Sequence, residues 1–180
     1  VFAFLADGFE EVECLTIVDL LRRGGVPVKT VSIMGRLNVA GGHGITVQAD
    51  ALIEEVSMEE AGMLFLPGGG LGTENLSAHS GLGEALKKAA GEGKRLAAIC
   101  AAPSVLGKYG LLDGKRATCY PGFEGKLGDA CYTTDGVVTD GMITTARGMG
   151  YAVDLGLELL AILTGIQNSR RIRSEIQFEY

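Results

Sequence analysis

One cysteine stands where a buried strand is expected to end and a helix to begin. Cys100 follows four apolar residues in "RLAAICAAPSVLG", and small residues come directly after it. Such a joint resembles the nucleophile elbow of hydrolases, and the free N–H groups of a helix opening at Ala101 would favour the thiolate. The alternative is an inert thiol that fills an apolar stretch. The residues alone leave a reactive and a purely packing role open for Cys100.

A glycine-rich segment, "LPGGGLGTENL", also invites a chemical interpretation. A dinucleotide fingerprint needs a glycine three residues after Gly70, but Thr73 stands there, and the phosphate-loop motif is absent. The sequence therefore argues against a nucleotide site. The remaining interpretations are a simple chain turn, or bare backbone N–H groups that approach a reacting oxygen.

Three acids open the first expected helix: Glu10, Glu11 and Glu13 in "GFEEVE". Carboxylates at a helix start are favoured by the helix dipole, and Glu10 and Glu11 fit that role best. Glu13 lies about one turn into the helix, where it could instead face the sheet edge. The residues alone leave these two roles of Glu13 open.

Alternating patterns indicate the elements that position these residues. Buried or alternating apolar runs predict strands at "VFAFLA", "VPVKTVSIM", "MLFLPGGG", "LAAIC" and "RATCY", and a short strand in "GGHGITVQADALIEEV". Helical spacing predicts helices at "EEVECLTIVDLLRRGG", "GLGEALKKAAGEGK", "APSVLGKYGLL" and "YAVDLGLELLAILTG". Asp140-Gly141 predicts a hairpin in "GVVTDGMITTA", and the polar tail "IQNSRRIRSEIQFEY" is expected to be partly helical.

This order predicts an α/β fold with a doubly wound, mostly parallel sheet and helices on both faces. Ligands in such sheets bind at the carboxyl edge of the strands. The segments "ADGFEE", "LPGGGLG" and "ICAAP" all break there. We therefore expect the three segments to converge on one site.

Composition bounds the remaining possibilities. The chain has 180 residues, 47% of them hydrophobic, and a net charge of −6, which predicts one domain over residues 1–180 and argues against nucleic acid as a partner. No apolar run approaches the roughly 18 residues of a membrane span. The four cysteines form no C-x-x-C pair, so we expect no metal site and reduced thiols in a cytoplasmic protein. The chain opens at Val1 within an apolar strand, so we expect a residue or two before it and no targeting segment.

Four motifs in fixed order carry a resemblance: "ADGFEEVE", "LPGGGLGTENL", "AAICAAPSVL" and "DGMITTARGMG". Together they resemble the ThiJ/PfpI superfamily, which is related to class I glutamine amidotransferases, and within it the branch of the Parkinson-disease-associated protein deglycase. The resemblance covers nearly the whole chain. It implies a flavodoxin-like fold, no cofactor and a homodimer.

The resemblance also implies roles for individual residues. It implies that Cys100 is the reactive, easily oxidised cysteine and that Glu13 is the buried carboxyl hydrogen-bonded to the sulfur of Cys100. The N–H groups of Gly69 and Ala101 would form an oxyanion pocket that Gly68 shapes. Protease and amidotransferase branches carry histidine directly after the cysteine, so Ala101 argues against both activities.

Three further residues are expected near the pocket. Tyr120 in "TCYP" stands where relatives often have a histidine, and His43 in "GGHGI" where some relatives place an arginine beside the partner's site. Arg23 closes the first helix, where it could cap the helix or contact a partner subunit. The other three cysteines are expected to pack in the interior.

Two functions remain open. In the first, Cys100 attacks a small reactive aldehyde such as methylglyoxal, Glu13 moves protons, and hydrolysis releases lactate or frees a glycated group. In the second, the protein senses or protects against oxidative stress, and Cys100 oxidises to the sulfinic acid.

Overall fold

A seven-stranded sheet forms the centre of the molecule in a computed structural model that describes residues 1–178. Its order is β10-β11-β7-β6-β1-β2-β5, and every neighbouring pair is parallel except β10 and β11. The strands are β1 (Phe2–Leu5), β2 (Lys29–Ser32), β5 (Ala51–Leu52), β6 (Met63–Leu66), β7 (Arg95–Ile99), β10 (Val137–Asp140) and β11 (Ile143–Ala146). The doubly wound, flavodoxin-like α/β fold is therefore confirmed.

Two smaller pairs of strands lie outside this sheet. An antiparallel hairpin joins β3 (Asn38–Ala40) to β4 (Thr46–Gln48), and a parallel pair joins β8 (Arg116–Ala117) to β9 (Cys131–Tyr132). The segment "GGHGITVQADALIEEV" thus supplies β4 and the edge strand β5, and "RATCY" forms strand over only two residues.

Helices cover both faces of the sheet. The helices are α1 (Glu11–Arg23), α2 (Gly70–Ala78), α3 (Ser80–Gly91), α4 (Pro103–Lys108), α5 (Ala152–Thr164) and α6 (Ile166–Glu175). The side chains of β1 alternate between the two cores: Phe2 and Phe4 lie in one cluster, and Ala3 and Leu5 lie in the other with residues of α1 and α5. Burial on both faces is why this strand is continuously apolar.

Several sequence predictions are confirmed and two need correction. The Asp140-Gly141 turn, the stop of α5 at Gly165 and the partly helical tail all occur, although the last two tail residues fall outside the described part. The sequence analysis predicted no helix between the strand in "MLFLPGGG" and the helix in "GLGEALKKAAGEGK", but α2 lies there and begins at Gly70. Helix α4 begins at Pro103 rather than Ala101. Within residues 1–178, no helix has the length and apolarity needed to cross a membrane.

Candidate functional site

Cys100 occupies a strained turn directly after β7. Its φ is 64°, in the left-handed region, and Gln177 is the only other non-glycine residue with positive φ among residues 1–178. The turn is held on both sides, because the Cys100 N–H donates to Ala146 O at 2.9 Å and its carbonyl accepts from the Tyr120 N–H at 2.8 Å. Strain that the surroundings maintain is typical of catalytic turns. The residue is partly exposed.

Glu13 lies in the first turn of α1 and is fully buried. Its Oε2 accepts a hydrogen bond from the Gly68 N–H at 2.9 Å, while Oε1 has no hydrogen-bond partner of regular geometry in the described structure. The carboxyl lies beside the Cys100 thiol, and this contact partly offsets the effect of burial on the pKa of Glu13. A buried acid with one free oxygen next to a thiol can take up the thiol proton.

Two glycines permit this close approach. A Cβ on Gly68 would lie 2.5 Å from Glu13 Oε2 and 2.6 Å from Cys100 Cβ. Gly69 has φ 93°, and a Cβ there would lie 2.3 Å from Gly8 O. The backbone N–H groups of Gly69 and Ala101 both hydrogen-bond the Cys100 sulfur. The structure therefore brings together Cys100, Glu13, Gly68, Gly69 and Ala101.

The ionisation of Cys100 differs from the sequence expectation. The pKa of Cys100 is raised to about 12. Burial is the largest cause and the negative charge of ionised Glu13 is the second, and the N–H groups of Ala101 and Gly69 only partly oppose them. The Ala101 N–H does act on the sulfur, but burial and Glu13 outweigh it, so the expected lowering of the Cys100 pKa is wrong. Burial also raises the pKa of Glu13 to about 7. The two groups form a coupled pair in which a charge on one disfavours a charge on the other.

A substitution at Gly68 tests this packing. We expect Gly68→Ala to cost about 2 kcal/mol of stability through overpacking and to lower Tm by roughly 5 °C. Thermal unfolding followed by circular dichroism measures the change. Gly70→Ala is the matched control. Apart from its chain neighbours and its own helix, no atom of residues 1–178 lies within 4 Å of the added Cβ, and Gly70 is not among the glycines with positive φ. Equal melting of the two variants would contradict the close contact at Gly68.

The three residues expected near the pocket have different positions. Tyr120 lies beside Cys100 through its backbone, and its exposed ring lies near Gly148. His43 lines an open cleft of about 450 Å³ together with Glu10 and Gly69. Arg23 does not join the site within one chain. It pairs with Asp19 at the far end of α1, about 15 Å along the helix axis from Glu13.

The remaining cysteines separate by exposure. Cys14 and Cys119 are buried, as expected of packing residues, whereas Cys131 is exposed. The expectation that Cys131 packs in the interior is therefore wrong. Its strand β9 belongs to the two-stranded β8–β9 sheet, outside the central sheet of the described residues.

The sequence did not reveal the role of Glu11. Its carboxylate is 2% exposed and accepts hydrogen bonds from the His43 N–H at 2.7 Å and the Ile45 N–H at 3.4 Å. Among residues 1–178, Glu10, Glu11 and His43 also bring three potential metal-ligand atoms within 4.8 Å of one another. Because N–H groups of the chain itself occupy the oxygens of Glu11, we interpret this group as a contact between two chain segments. The glycines around His43 were the only sequence sign of such a close approach.

Comparison with known proteins gives consistent matches. The model of the "DJ-1/PfpI family" matches residues 1–162. DJ-1 homolog A of Arabidopsis thaliana is 36% identical over 173 residues, which are 94% of this chain and 44% of that protein. A protein named deglycase from Pyrococcus abyssi is 36% identical over 147 residues, 81% of this chain and 87% of that protein. The chain thus spans less than half the length of the Arabidopsis protein.

Solved structures agree with these matches. Drosophila melanogaster DJ-1beta superposes with a TM-score of 0.95 at 31% identity, covering 99% of this chain and 97% of that chain. Toxoplasma gondii DJ-1, solved in an oxidized form, superposes with a TM-score of 0.94 at 31% identity, covering 99% and 98%.

Proposed function

Because the chain belongs to the DJ-1/PfpI family and holds a strained cysteine against a buried acid, we propose that it is a cysteine-dependent, cofactor-independent enzyme. Its substrates would be small reactive aldehydes or their glycation adducts, with methylglyoxal as the representative compound. The observation that carries the proposal is the contact of the Cys100 thiol with the buried carboxyl of Glu13. The deglycase name of the Pyrococcus relative supports the substrate class.

The first step forms a carbon–sulfur bond. Burial raises the pKa of Glu13 to about 7, so the carboxylate form is accessible near neutrality. That carboxylate removes the Sγ proton while sulfur attacks the aldehyde carbon, as a general base adjacent to a nucleophile does. The carbonyl oxygen takes up a proton, and the product is a hemithioacetal. The N–H groups of Gly69 and Ala101, which hydrogen-bond the sulfur, would stabilise the oxygen as it gains charge.

The second step moves a proton between neighbouring carbons. Glu13 takes the proton from the carbon bonded to sulfur and returns it to the adjacent carbon, while the hydroxyl proton of the hemithioacetal passes to the neighbouring carbonyl oxygen. The product is a thioester with a hydroxyl group on the adjacent carbon. Water then cleaves the thioester and regenerates the thiol. The sum is methylglyoxal plus water giving lactate, with no net oxidation and no cofactor. With a glycation adduct, sulfur would attack the carbon that carries the amine or thiol. The carbon–nitrogen or carbon–sulfur bond would break, and the leaving group would take up the proton that Glu13 removed from Cys100.

Assays of the purified chain test this proposal. Incubated with methylglyoxal at pH 7 and without added cofactor, it is expected to consume the dicarbonyl and produce lactate in equal amounts. Circular dichroism is the control that the fold is intact. If folded protein turns over none of the small dicarbonyls tried, the enzymatic proposal is overturned. Peptidase and glutaminase activity are not expected, because Ala101 follows the cysteine where those branches carry histidine.

A redox role is the second candidate, and the partial exposure of Cys100 favours it. Two equivalents of peroxide would convert the thiol to the sulfinic acid and release two waters, and protonated Glu13 could donate a hydrogen bond to the product. Mass spectrometry after mild peroxide should show two oxygens on the Cys100 peptide, with buried Cys14 and Cys119 unchanged. Oxidation of exposed Cys131 in preference to Cys100 would contradict this role.

The proposed assembly is a homodimer that buries α1 and the β3–β4 hairpin. Val12, Leu15 and Ile45 present exposed apolar side chains on these two elements. We expect Val12→Asp to be monomeric at concentrations where the original chain is dimeric. Analytical ultracentrifugation of the two proteins tests this surface. The four free thiols also fit the proposed cytoplasmic location, because that compartment keeps cysteines reduced.

A further inference from the structure

The β3–β4 hairpin packs on the loop that follows β1 rather than joining the central sheet. The Gly8 N–H donates to Ala40 O at 2.7 Å, and the Gly42 N–H donates to Phe9 O at 2.8 Å. Phe9 and Gly41 also form an isolated parallel bridge. The hairpin is therefore fastened along its turn to the segment that leads into α1.

Glu11 is the side chain at the centre of this contact. Its Oε1 accepts from the His43 and Ile45 N–H groups, and its Oε2 lies 2.9 Å from His43 Nδ1. The approach is close enough that a Cβ on Gly41 would lie 2.2 Å from Glu11 Oε1. A buried carboxylate with this set of donors is a specific structural element, because its burial without them would carry a large desolvation penalty.

The same loop contacts the reactive centre on its other side. The Glu10 N–H donates to Gly68 O at 2.9 Å, and the Gly72 N–H donates to Gly8 O at 3.1 Å. Glu13 follows Glu11 by two residues, within the same first turn of α1. One continuous segment therefore carries the hairpin contact, the carboxyl beside Cys100 and a backbone hydrogen bond to Gly68.

We infer that Glu11 is a positioning residue, which fastens the β3–β4 hairpin over the start of α1 and thereby keeps Glu13 buried beside Cys100. The expected effect of Glu11 on turnover rests on the proposed function. Its expected effect on the pH dependence of Cys100 alkylation does not. The assignment differs from that of Glu13, since Glu11 would touch neither substrate nor sulfur. Loosening the hairpin is expected to let water reach Glu13 and so lower its pKa toward the ordinary value.

The contact should also respond to pH. The hydrogen bonds from His43 and the Ile45 N–H outweigh burial and lower the pKa of Glu11 to about 2, and the carboxylates of Glu11 and Glu10 raise the pKa of His43. Asp7 lines the same cleft, with its charge paired to Arg36. The stabilisation from ionised Glu11 is thus fully present above its unfolded pKa of 4.5 and is lost as the pH falls to about 2. Protonated His43 strengthens the contact until the pH rises through the raised pKa of His43.

The readout is alkylation of Cys100 by iodoacetamide across pH, in a Cys131→Ser background so that the exposed thiol does not compete. In the parent chain, thiolate forms when the pair loses its first proton, so the rate should rise through pH 7 and then level off. We expect Glu11→Gln to move this inflection at least about half a pH unit lower. The amides of residues 38–48 should exchange with deuterium about tenfold faster, because a hydrogen bond to a charged group is lost.

Two further variants complete the experiment. His43→Gln should also move the inflection of the Cys100 alkylation rate to lower pH. Below the raised pKa of His43, the hairpin amides of this variant should exchange with deuterium faster than those of the parent chain. Well above that pKa, the two chains should exchange at the same rate. Glu54→Gln removes an equal charge from an exposed side chain outside the contact and should leave both readouts unchanged.

An unchanged inflection in Glu11→Gln, whether or not the hairpin exchanges faster, would overturn the inference. Because alkylation requires no turnover, the inference can stand or fall separately from the methylglyoxal reaction. If Glu11→Gln does not fold, His43→Gln, which removes only an exposed side chain, decides the question by the same criterion.

Discussion

Cys100→Ser is expected to abolish methylglyoxal turnover, with kcat/KM falling at least about a thousandfold. A serine hydroxyl is far less acidic than a thiol, and a carboxylate whose pKa is about 7 cannot deprotonate it to a useful extent. The attack on the aldehyde carbon then has no nucleophile. Lactate formation and methylglyoxal loss, followed under single-turnover and steady-state conditions, measure the effect.

The fold should survive this substitution. The serine oxygen can accept the N–H groups of Gly69 and Ala101 that now bond the sulfur, and the strained turn is held by backbone contacts to Ala146 and Tyr120. Cys131→Ser is the matched control, because it makes the same atomic change at an exposed thiol. More than a tenth of the original turnover in Cys100→Ser would show that another group attacks the aldehyde.

Much of the fold could be predicted because buried parallel strands leave an unmistakable pattern. β1 and β6 are continuously apolar, and β7 is apolar after Arg95, since each is covered on both faces. The segments after these strands do meet at one edge of the sheet. Helix α2 was missed because Gly70 and Gly72 look like breaks. Gly72 is in fact required within the helix, where a Cβ would lie 2.7 Å from the Phe9 backbone.

The candidate site could be predicted in position but not in ionisation. Cys100 and the glycines were visible as residues at strand ends, whereas Glu10, Glu11 and Glu13 differ only in the direction that the folded helix gives them. Glu10 accepts the N-terminal bond from Val12, Glu11 fastens the hairpin, and Glu13 faces the thiol. The raised pKa of Cys100 was also hidden, because burial and a like charge from 87 residues away are properties of the tertiary structure.

Glu13→Gln should separate the reactivity of the thiol from turnover. The amide can still accept the Gly68 N–H, so the packing is kept, but it cannot take up a proton. We expect kcat/KM for methylglyoxal to fall at least about a hundredfold, the usual contribution of a general acid–base group. The thiol remains, and iodoacetamide should still alkylate it. Parallel measurement of turnover and alkylation on the same preparation tests the split.

The pH profile distinguishes a proton-transferring role of Glu13 from a merely structural one. In the parent chain, alkylation of Cys100 should show an inflection near pH 7 that belongs to the coupled pair. In Glu13→Gln, this step should vanish, and the rate should instead keep rising with pH as a single thiol ionises. Loss of the carboxylate also removes the second-largest cause of the raised pKa of Cys100, so that pKa should fall.

Stability should change with pH in a related way. The folded pKa of Glu13, about 7, exceeds the reference value of 4.5, so the folded state binds the proton more tightly than the unfolded state does. The contribution of Glu13 to stability is thus fully present below pH 4.5 and is lost as the pH rises to 7. Glu13→Gln should lack this loss, and its Tm should vary less between pH 5 and pH 8 than that of the parent chain. Glu13→Asp keeps an ionisable group on a shorter side chain and should retain a pH-dependent Tm. If the parent chain and Glu13→Gln show the same pH dependence of both Tm and alkylation, the coupled pair does not exist and the proposed proton transfer fails with it.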